Sequence, residues 1–246
     1  MFDILLLRFD APLMSFGGQI VDNFGKIQEY PALSLMAGLL GNALGFDHRE
    51  AEKLNSLQER LRYAVRRDRP GVHITDYQRV DLGQSSLSAT SWTTRGFMDE
   101  RGSGEATSGT HIRYREYIAD AVYTIALRVE NSMISPTLLD LEKGLKSPTR
   151  PLFLGRKSCL PAAPIFLARI QANSLIEALV QIPIPFRFGF DQGQKTATIW
   201  FSEGEDFRGE SELLPVTDER DWYNQIHVGR RMIRRGVINI EEVKKS

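Results

Sequence analysis

The hydrophobic residues of this chain fall into runs whose length and spacing predict alternating strands and helices. Residues 2–9 form a short apolar run with the length of a buried strand. Residues 33–45 are apolar nearly all round, which predicts a buried helix. Gly38 and Gly41 would allow a neighbouring backbone to approach this helix closely, and Gly45 would end the helix. This helix and the preceding strand begin the predicted core.

A second helix and a second strand follow in the first half of the chain. Asp47 followed by Glu50 resembles a capping pair for a helix that carries apolar residues on one face. Residues 61–66 alternate between apolar and polar positions, as a half-buried strand does. Residues 11–18 interrupt regular structure between the first strand and the first helix. The first half therefore predicts the order strand, helix, helix, strand.

The second half of the chain again alternates strands and helices. The pattern predicts a strand at residues 121–129, a helix at 137–146, a strand at 165–170 and a short helix at 174–180. Ser135 and Pro136 are expected to be the N-cap and the first residue of the helix in this half. The chain then becomes irregular and acidic, and residues 196–201 and 222–228 are expected to pair as late strands.

Together these elements predict an α+β protein with the ferredoxin-like (RRM-like) βαββαβ motif and one long insertion. We expect a palm formed by residues 1–69 and 119–246, with an irregular C-terminal extension, and an inserted thumb or arm at residues 70–118. Between residues 70 and 109 apolar periodicity fades, and a stretch of this length inside a compact domain is normally functional or disordered. Many RNA binders share this topology, but fold alone does not establish function.

Composition and charge narrow the class of protein. With 246 residues, 42% of them hydrophobic and 25% charged, the chain can bury a core as one large domain or two small ones. The formal net charge is +0, so binding to nucleic acid would have to rely on local patches. The single cysteine, Cys159, excludes an internal disulfide and a Cys-rich zinc site, which fits a reducing cytoplasm. The sequence contains no secretory signal and no apolar run of membrane-spanning length, so no membrane association is expected.

One local patch is a basic turn within residues 150–161. An apolar run stops at Gly155, which tolerates backbone angles that other residues avoid, and Arg156, Lys157 and Ser158 follow. Such a turn can present backbone N–H groups and two cations to one phosphate, because N–H groups and a guanidinium fork both match its oxygens. The alternative is an ordinary basic surface turn.

Two further segments combine cations with strands or rings. Arg62 and Arg66 share the polar face of the strand at residues 61–66, for which a solvated strand face is the alternative. The arm and its return segment contribute Trp92, Arg95, His111, Arg113, Tyr114 and Arg115. Single-stranded nucleic acid requires this mixture, because cations neutralise phosphates while unstacked bases lie on aromatic or guanidinium planes. The alternative for the arm is a flexible solvent loop.

Six short segments occur in an order that is similar to a known family. They are residues 8–17, the helix end at 38–45, Asp76-Tyr77, Arg115-Glu116-Tyr117 with Asp120-Ala121, Leu154-Gly155-Arg156-Lys157-Ser158-Cys159, and Arg220-x-Trp222-Tyr223. Together they resemble the CasD family of type I-E CRISPR Cascade subunits, within the repeat-associated RAMP superfamily. The resemblance covers most of the chain, and the Leu-Gly-Arg-Lys-Ser-Cys turn is its most specific motif.

The resemblance implies a non-catalytic subunit that caps the 5′ handle of the CRISPR RNA with a ferredoxin-like palm and a protruding thumb. It implies contacts with the backbone subunit CasC and the large subunit CasA, with target DNA near the PAM-proximal end as a further candidate partner. No cofactor and no metal are expected. The candidate RNA-binding residues are Gly155, Arg156, Lys157, Ser158, Arg62, Arg66, Trp92, Arg95, His111, Arg113, Tyr114 and Arg115.

Two functions of other classes stay open. A related subunit in another CRISPR subtype is an RNA endonuclease, and metal-independent cleavage needs a base for the 2′-OH and an acid for the leaving oxygen. The histidines, His48, His73, His111 and His227, are scattered, and no cluster has metal-ligand spacing. His111 is therefore the one credible site for an endoribonuclease that processes repeat RNA. A purely structural scaffold is the third option.

Overall fold

The computed structural model describes residues 1–47, 49–81, 91–92, 98–99, 110–184 and 196–239. Within these ranges the strands, in chain order, are β1 (Phe2–Asp10), β2 (Leu13–Met14), β3 (Gly17–Val21), β4 (Phe24–Ile27), β5 (Leu61–Arg69), β6 (Val72–Asp81), β7 (Ser91–Trp92), β8 (Met98–Asp99), β9 (Thr110–Ala119), β10 (Val122–Val129), β11 (Phe166–Ala172), β12 (Thr196–Ser202), β13 (Ser211–Val216), β14 (Glu219–Asp221), β15 (Ile226–Val228) and β16 (Arg231–Asn239). The helices are α1 (Leu33–Leu44), α2 (Ala51–Arg60), α3 (Leu138–Lys146) and α4 (Leu175–Gln181). The protein is therefore a mixed α+β protein dominated by sheet. None of these helices is long and apolar enough to cross a membrane.

A central sheet of seven strands organises the fold, in the order β11-β1-β10-β5-β12-β16-β13. All neighbouring pairs are antiparallel. In the register of β1 and β10, Leu5 lies opposite Leu127 and Leu7 opposite Ile125. Ile125 in turn lies opposite Val65 of β5. The continuous apolar runs of β1 and β10 suit their inner positions, because strands covered on both faces need no polar side.

Helices cover both faces of the central sheet. On one face, Leu40 of α1, Leu57 of α2 and Leu141 of α3 belong to the main hydrophobic cluster. On the other face, Leu175 and Leu179 of α4 pack in a second cluster with residues of the strands. α4 therefore covers the face of β5 that the alternating pattern predicts to be solvated.

The glycines of α1 confirm the sequence-based prediction. Gly45 ends the helix with a φ of +81°, and its N–H donates to the carbonyl oxygen of Asn42 at 3.1 Å. A Cβ atom on Gly41 would lie 2.5 Å from Cδ2 of Leu54, so a larger residue there would require the buried Leu54 side chain to shift.

The predicted helix caps differ from the observed ones. Thr137, rather than Ser135, is the N-cap of α3, where its hydroxyl accepts from the Asp140 N–H at 3.3 Å and Asp140 accepts from the Thr137 N–H at 2.8 Å. At α2 the N-cap is Glu50, and its carboxylate accepts from the Asp47 N–H at 2.7 Å, just before the helix. The Asp47–Glu50 interaction therefore forms without capping the first turn of α2.

A second sheet contains strands that the sequence pattern does not predict. It has the order β2-β9-β4-β3, and β6 pairs with β9 in an antiparallel ribbon from Val72 opposite Ala119 to Asp81 opposite Thr110. The expectation that residues 11–18 are irregular is wrong for β2 and for the start of β3. Most side chains of β6 are exposed on both faces, which explains why this strand lacks apolar alternation.

The C-terminal pairing also differs from the prediction. β12 pairs with β5 and β16, whereas residues 222–228 form the turn and second strand of a separate hairpin of β14 and β15. The basic segment with Arg231, Arg234 and Arg235 forms β16, whose Ile233 and Ile238 are buried. The small hairpin of β14 and β15 packs on α1 and α2, where Trp222 joins Ala37, Ala51 and Leu54 in a third cluster.

Candidate nucleic-acid interface

A cleft of about 410 Å³ lies where α1, the Gly155 turn and the hairpins of β3–β4 and β14–β15 meet. Leu35, Leu39 and Phe153 supply apolar walls. The cations Arg115, Arg156 and Arg220 and the imidazole of His227 also line it. The size falls within the range of ligand sites in proteins, and the lining combines apolar surface with a few convergent polar groups.

The Gly155 turn forms one wall of this cleft. Gly155 has a φ of +106°, and a Cβ atom there would lie 1.8 Å from the carbonyl oxygen of Ser15. The Ser15 N–H donates to the carbonyl oxygen of Leu154 at 3.1 Å, and the Leu154 N–H donates to that of Cys159 at 2.8 Å. The backbone conformation predicted for Gly155 is therefore confirmed, and its cause is close contact with the chain after β2. The predicted phosphate nest stays a prediction.

The two cations of the turn do not point outward together. Arg156 donates to the carbonyl oxygens of Glu116 at 2.9 Å and Gly25 at 3.4 Å, and its guanidinium lies 4.6 Å from the centre of the Tyr117 ring. Arg156 is half-buried, whereas Lys157 and Ser158 are exposed. Arg156 thus joins the turn to the second sheet, and Lys157 is the cation of this turn that is open to solvent.

This difference predicts unequal effects of two neighbouring substitutions on stability. Arg156→Ala removes charged hydrogen bonds to two carbonyl groups, and we expect it to lower the free energy of unfolding by about 2 kcal/mol. Lys157→Ala, as the matched control, should change it by no more than about 0.5 kcal/mol. Urea unfolding followed by circular dichroism measures both. Equal, small losses would mean that Arg156 does not hold the turn.

The alternation of β9 divides the candidate residues of the return segment between two faces. His111, Arg113 and Arg115 are two residues apart and share one face of the strand, at intervals of about 7 Å. Arg115 lines the cleft, and Arg113 is exposed farther along the ribbon. These side chains form a row that leads away from the cleft, which is a geometry suited to following an extended phosphate backbone.

Tyr114 points to the opposite face, where it meets two other rings. Its ring stacks on that of Phe24, with centroids 4.9 Å apart and 10° between the planes, and lies 5.5 Å from the ring of Tyr77. Phe24 and Tyr77 are about half exposed. Tyr114 is therefore separated from the arginines beside it in sequence. Sequence reasoning missed Phe24, because the strand that carries it has no periodic signal.

Arg66 is not available to any ligand, and the prediction that it binds RNA is wrong. Its side chain is fully buried, where it forms an ion pair with Asp68 and donates to the carbonyl oxygens of Leu179 and Ile182, the latter at 2.8 Å. The cation therefore satisfies carbonyl groups at the C-terminal end of α4, an arrangement that the helix dipole favours. Burial raises the pKa of Asp68, although Arg66 opposes that shift.

The other arm and strand candidates lie elsewhere. Arg62 is partly exposed but binds Glu130 at 2.7 Å and the carbonyl oxygens of Glu59 and Leu61, and it does not line the cleft. Trp92 lies in β7, which pairs with β8, and Arg95 lies outside the described residues. Their predicted contacts with RNA stay predictions.

The segment Arg220-x-Trp222 lines the cleft but carried no assigned role in the sequence analysis. Gln58 of α2 holds it, since its amide donates to the Arg220 carbonyl oxygen at 3.0 Å and accepts from the Arg220 N–H and the Trp222 indole N–H, both at 3.2 Å. The closeness in sequence of a cation, Arg220, and an aromatic ring, Trp222, was the signal that could have identified this segment as a candidate site. The position of this segment beside α1 could not be inferred from sequence, because it depends on hydrogen bonds between Gln58 and residues more than 160 positions later.

Comparison with known proteins places these features in a family. The family model described as CRISPR-associated protein (Cas_Cas5) matches residues 4–234, which is nearly the whole chain. The protein belongs to the Cas5 family. Among curated proteins, it is 30% identical over 176 residues to the CRISPR system Cascade subunit CasD of Escherichia coli strain K12, covering 72% of this chain and 75% of that protein. The CasD-type family inferred from the six short segments is therefore confirmed.

Two solved structures are similar to this Cas5 protein. A chain described as a CRISPR RNA-guided surveillance complex gives a TM-score of 0.67 at 24% identity, over 96% of this chain and 90% of that chain. A structure described as Cas protein gives a TM-score of 0.63 at 25% identity, over 97% and 96% of the respective chains. Both likenesses extend over nearly the full length, so the mixed α+β architecture is that of known Cas structures.

Two of the described histidines of this Cas5 protein lie in different places. His111 lies on the ribbon, whereas His227 lies in the cleft beside Arg220, its partner in the register of β14 and β15. Among the described residues, no three His, Cys, Asp or Glu side chains form a group that could hold a metal ion. The candidate role of His111 in acid–base cleavage stays a prediction.

Proposed function

We propose that this Cas5 protein binds the 5′ handle of the CRISPR RNA as a non-catalytic subunit of a Cascade-type complex. The observation that carries the proposal is the position of two cleft residues: Arg156 is followed by the exposed Lys157 and Ser158, and Arg115 shares one face of β9 with Arg113 and His111. A strand of RNA could follow this row with its phosphates while the apolar cleft accepts a base. The relationship to a Cascade subunit supports membership of a Cascade-type complex.

We infer that the central elements form a ferredoxin-like βαββαβ palm. β1, β5, β10 and β11 are adjacent in the order β11-β1-β10-β5, which is the fourth, first, third and second strand of that motif. α1 and α3 lie in its two crossover connections. The palm would comprise residues 1–69 and 119–246. The ribbon of β6 and β9 would be the base of a thumb at residues 70–118.

The proposed partners follow from membership in such a complex. They are the backbone subunit CasC at the thumb, the large subunit CasA, and target DNA near the PAM-proximal end, all in the cytoplasm. The near balance of positive and negative residues over the whole chain means that these contacts would depend on local surfaces. The row on β9 is one such surface.

RNA binding by the purified protein tests the proposal. We expect tighter binding to single-stranded RNA with the 5′ handle of its own repeat than to a scrambled RNA of equal length, with affinity falling as salt rises. The Arg115→Ala, Lys157→Ala double variant should bind at least tenfold more weakly and with a shallower salt dependence. Fluorescence anisotropy at several salt concentrations measures both quantities.

The controls separate the candidate interface from general charge. Arg208 and Lys143 are exposed cations outside the cleft and the ribbon, so the Arg208→Ala, Lys143→Ala variant has the same net charge as the test variant. Equal losses in the two variants would reject the proposed interface. Cleavage products on a denaturing gel, abolished by His111→Ala, would instead establish the endoribonuclease.

A further inference from the structure

The β14–β15 hairpin gives the cleft a preformed wall. Trp222 is buried, and a Cβ atom on Gly38 of α1 would lie 3.3 Å from its ring, so the helix backbone and the indole are close neighbours. The Trp222 N–H also donates to the side chain of Asn55 at 3.2 Å. With the three hydrogen bonds to Gln58, these contacts fix the position of the hairpin before any ligand binds.

Arg220 has unused hydrogen-bonding capacity on this wall. Its guanidinium lies 5.3 Å from the centre of the Trp222 ring, and one terminal nitrogen donates to the side-chain oxygen of Gln225 at 2.7 Å. Its Nε is buried and has no acceptor among the residues that the structure describes. Burial lowers the pKa of Arg220, but an arginine stays charged at neutral pH. Nε is closed to a ligand in this conformation, but the terminal nitrogens donate only to Gln225 among the described residues, so an acceptor in the cleft would meet unused guanidinium donors there.

We propose that the cleft accepts one unpaired base of the bound RNA and that Arg220 selects guanine at this position. The proposal rests on the proposed function, because it identifies what part of the RNA enters the cleft. Leu35, Leu39 and Phe153 offer apolar surface that suits the faces of a base. A phosphate placed against the same surface would lose its hydration. The cleft therefore fits a base better than it fits the backbone.

The donors around the cleft determine which base fits. Arg115, Arg156 and Arg220 all line it, and arginine offers donors without acceptors. Guanine presents two acceptors, O6 and N7, on one edge, whereas adenine presents an amino group beside N7. Against the guanidinium of Arg220 itself, the adenine amino group would set donor against donor, so adenine would bind there more weakly than guanine.

A base-replacement experiment with the full-length protein tests this inference. Anisotropy is measured for the handle RNA and for versions that carry one abasic site at each position in turn. We expect one position at which the abasic site weakens binding at least tenfold. The four bases are then compared there, and guanine should bind at least fivefold more tightly than adenine.

Two variants and a control link that preference to Arg220. Arg220→Gln should lose the guanine preference, because a glutamine amide pairs with adenine at least as well. Arg220→Lys should keep the salt dependence and only part of the guanine preference, because lysine keeps the charge and can donate to O6 and N7 but lacks the guanidinium fork. Arg208→Gln, at an exposed arginine outside the cleft, should keep the preference. If Arg220 variants prove unstable in thermal melts, Leu35→Trp provides a second test, because an indole filling the cleft should abolish the sensitivity to the abasic site.

The outcomes distinguish this inference from the proposed function. Salt-dependent handle binding without any sensitive position would overturn the base site and leave the proposed function intact. A sensitive position that prefers adenine or a pyrimidine, or a guanine preference that survives Arg220→Gln, would overturn the assignment to Arg220. Absence of any preference for handle RNA over scrambled RNA would reject both.

Discussion

Replacing Asp218 by alanine is expected to lower the free energy of unfolding by about 3–5 kcal/mol. The buried Asp218 carboxylate binds Arg231 through two hydrogen bonds of 2.6 and 2.7 Å. Its Oδ2 also accepts from the Leu33 N–H at 3.0 Å. Removal of the carboxylate would leave a largely buried guanidinium without its counter-ion and an unsatisfied N–H at the start of α1.

The loss would extend to the cleft. Arg231 also donates to the Tyr63 hydroxyl at 3.0 Å, and that hydroxyl donates to the carbonyl oxygen of Pro31 at 2.9 Å. Burial raises the pKa of Tyr63, so the hydroxyl stays neutral and remains a donor. This network holds the beginning of α1, the helix that forms the floor of the cleft, and its disruption should therefore also weaken RNA binding.

Asp3 offers a matched control on the surface. It pairs with Arg169 through hydrogen bonds of 2.9 and 3.0 Å to Nε, but both side chains are about one third exposed. Asp3→Ala should therefore cost less than about 1 kcal/mol. Guanidinium unfolding of the two variants gives the comparison. A similar cost for both would show that Asp218 contributes no more than a surface ion pair.

Elements that leave a pattern in their own residues can be predicted from this sequence. β1, β10 and α1 are buried on most sides, and burial leaves an apolar signature in the sequence itself. Gly45 could be assigned to the end of α1, since a glycine after an apolar helix is the usual terminator. β6 leaves no such signature, because solvent surrounds its side chains and hydrogen bonds to β9 alone define it.

Features that depend on contacts with residues far away in the sequence could not be predicted. α1 has no side-chain cap near its N-cap residue, Ala32, because Asp218 supplies the acceptor from 185 residues away. For Arg66 the alternation identifies a polar face, but only the fold shows that α4, more than 100 residues later, covers it. Local patterns report which face of a strand is polar and do not report what covers that face.

The candidate site was predictable in one part. The turn could be identified because Gly155 and its cations are adjacent in sequence. The cleft could not, because separate segments form its walls, from the β3–β4 hairpin to the β14–β15 hairpin. The separation of Tyr114 from Arg113 and Arg115 was available from strand periodicity alone, had a strand been predicted there.

Gly155→Ala is expected to cost more than about 4 kcal/mol of unfolding free energy, or to prevent folding. The new Cβ would lie 1.8 Å from the oxygen and 2.6 Å from the carbonyl carbon of Ser15, distances that no rotation of a side chain can relieve. The turn would have to move away from Ser15. That movement would break the hydrogen bond between Ser15 and Leu154 and pull Arg156 from the second sheet.

Gly204 separates steric contact from backbone strain. Its φ of +101° is close to that of Gly155, but no atom lies within 4 Å of where its Cβ would be. Gly204→Ala should therefore cost only the strain of a positive φ, about 1–2 kcal/mol. Thermal melts and guanidinium unfolding of both variants measure the difference, and equal costs would refute the close packing of the turn on Ser15. Because the same turn forms a wall of the cleft, any folded Gly155→Ala protein should also bind handle RNA more weakly than Gly204→Ala does.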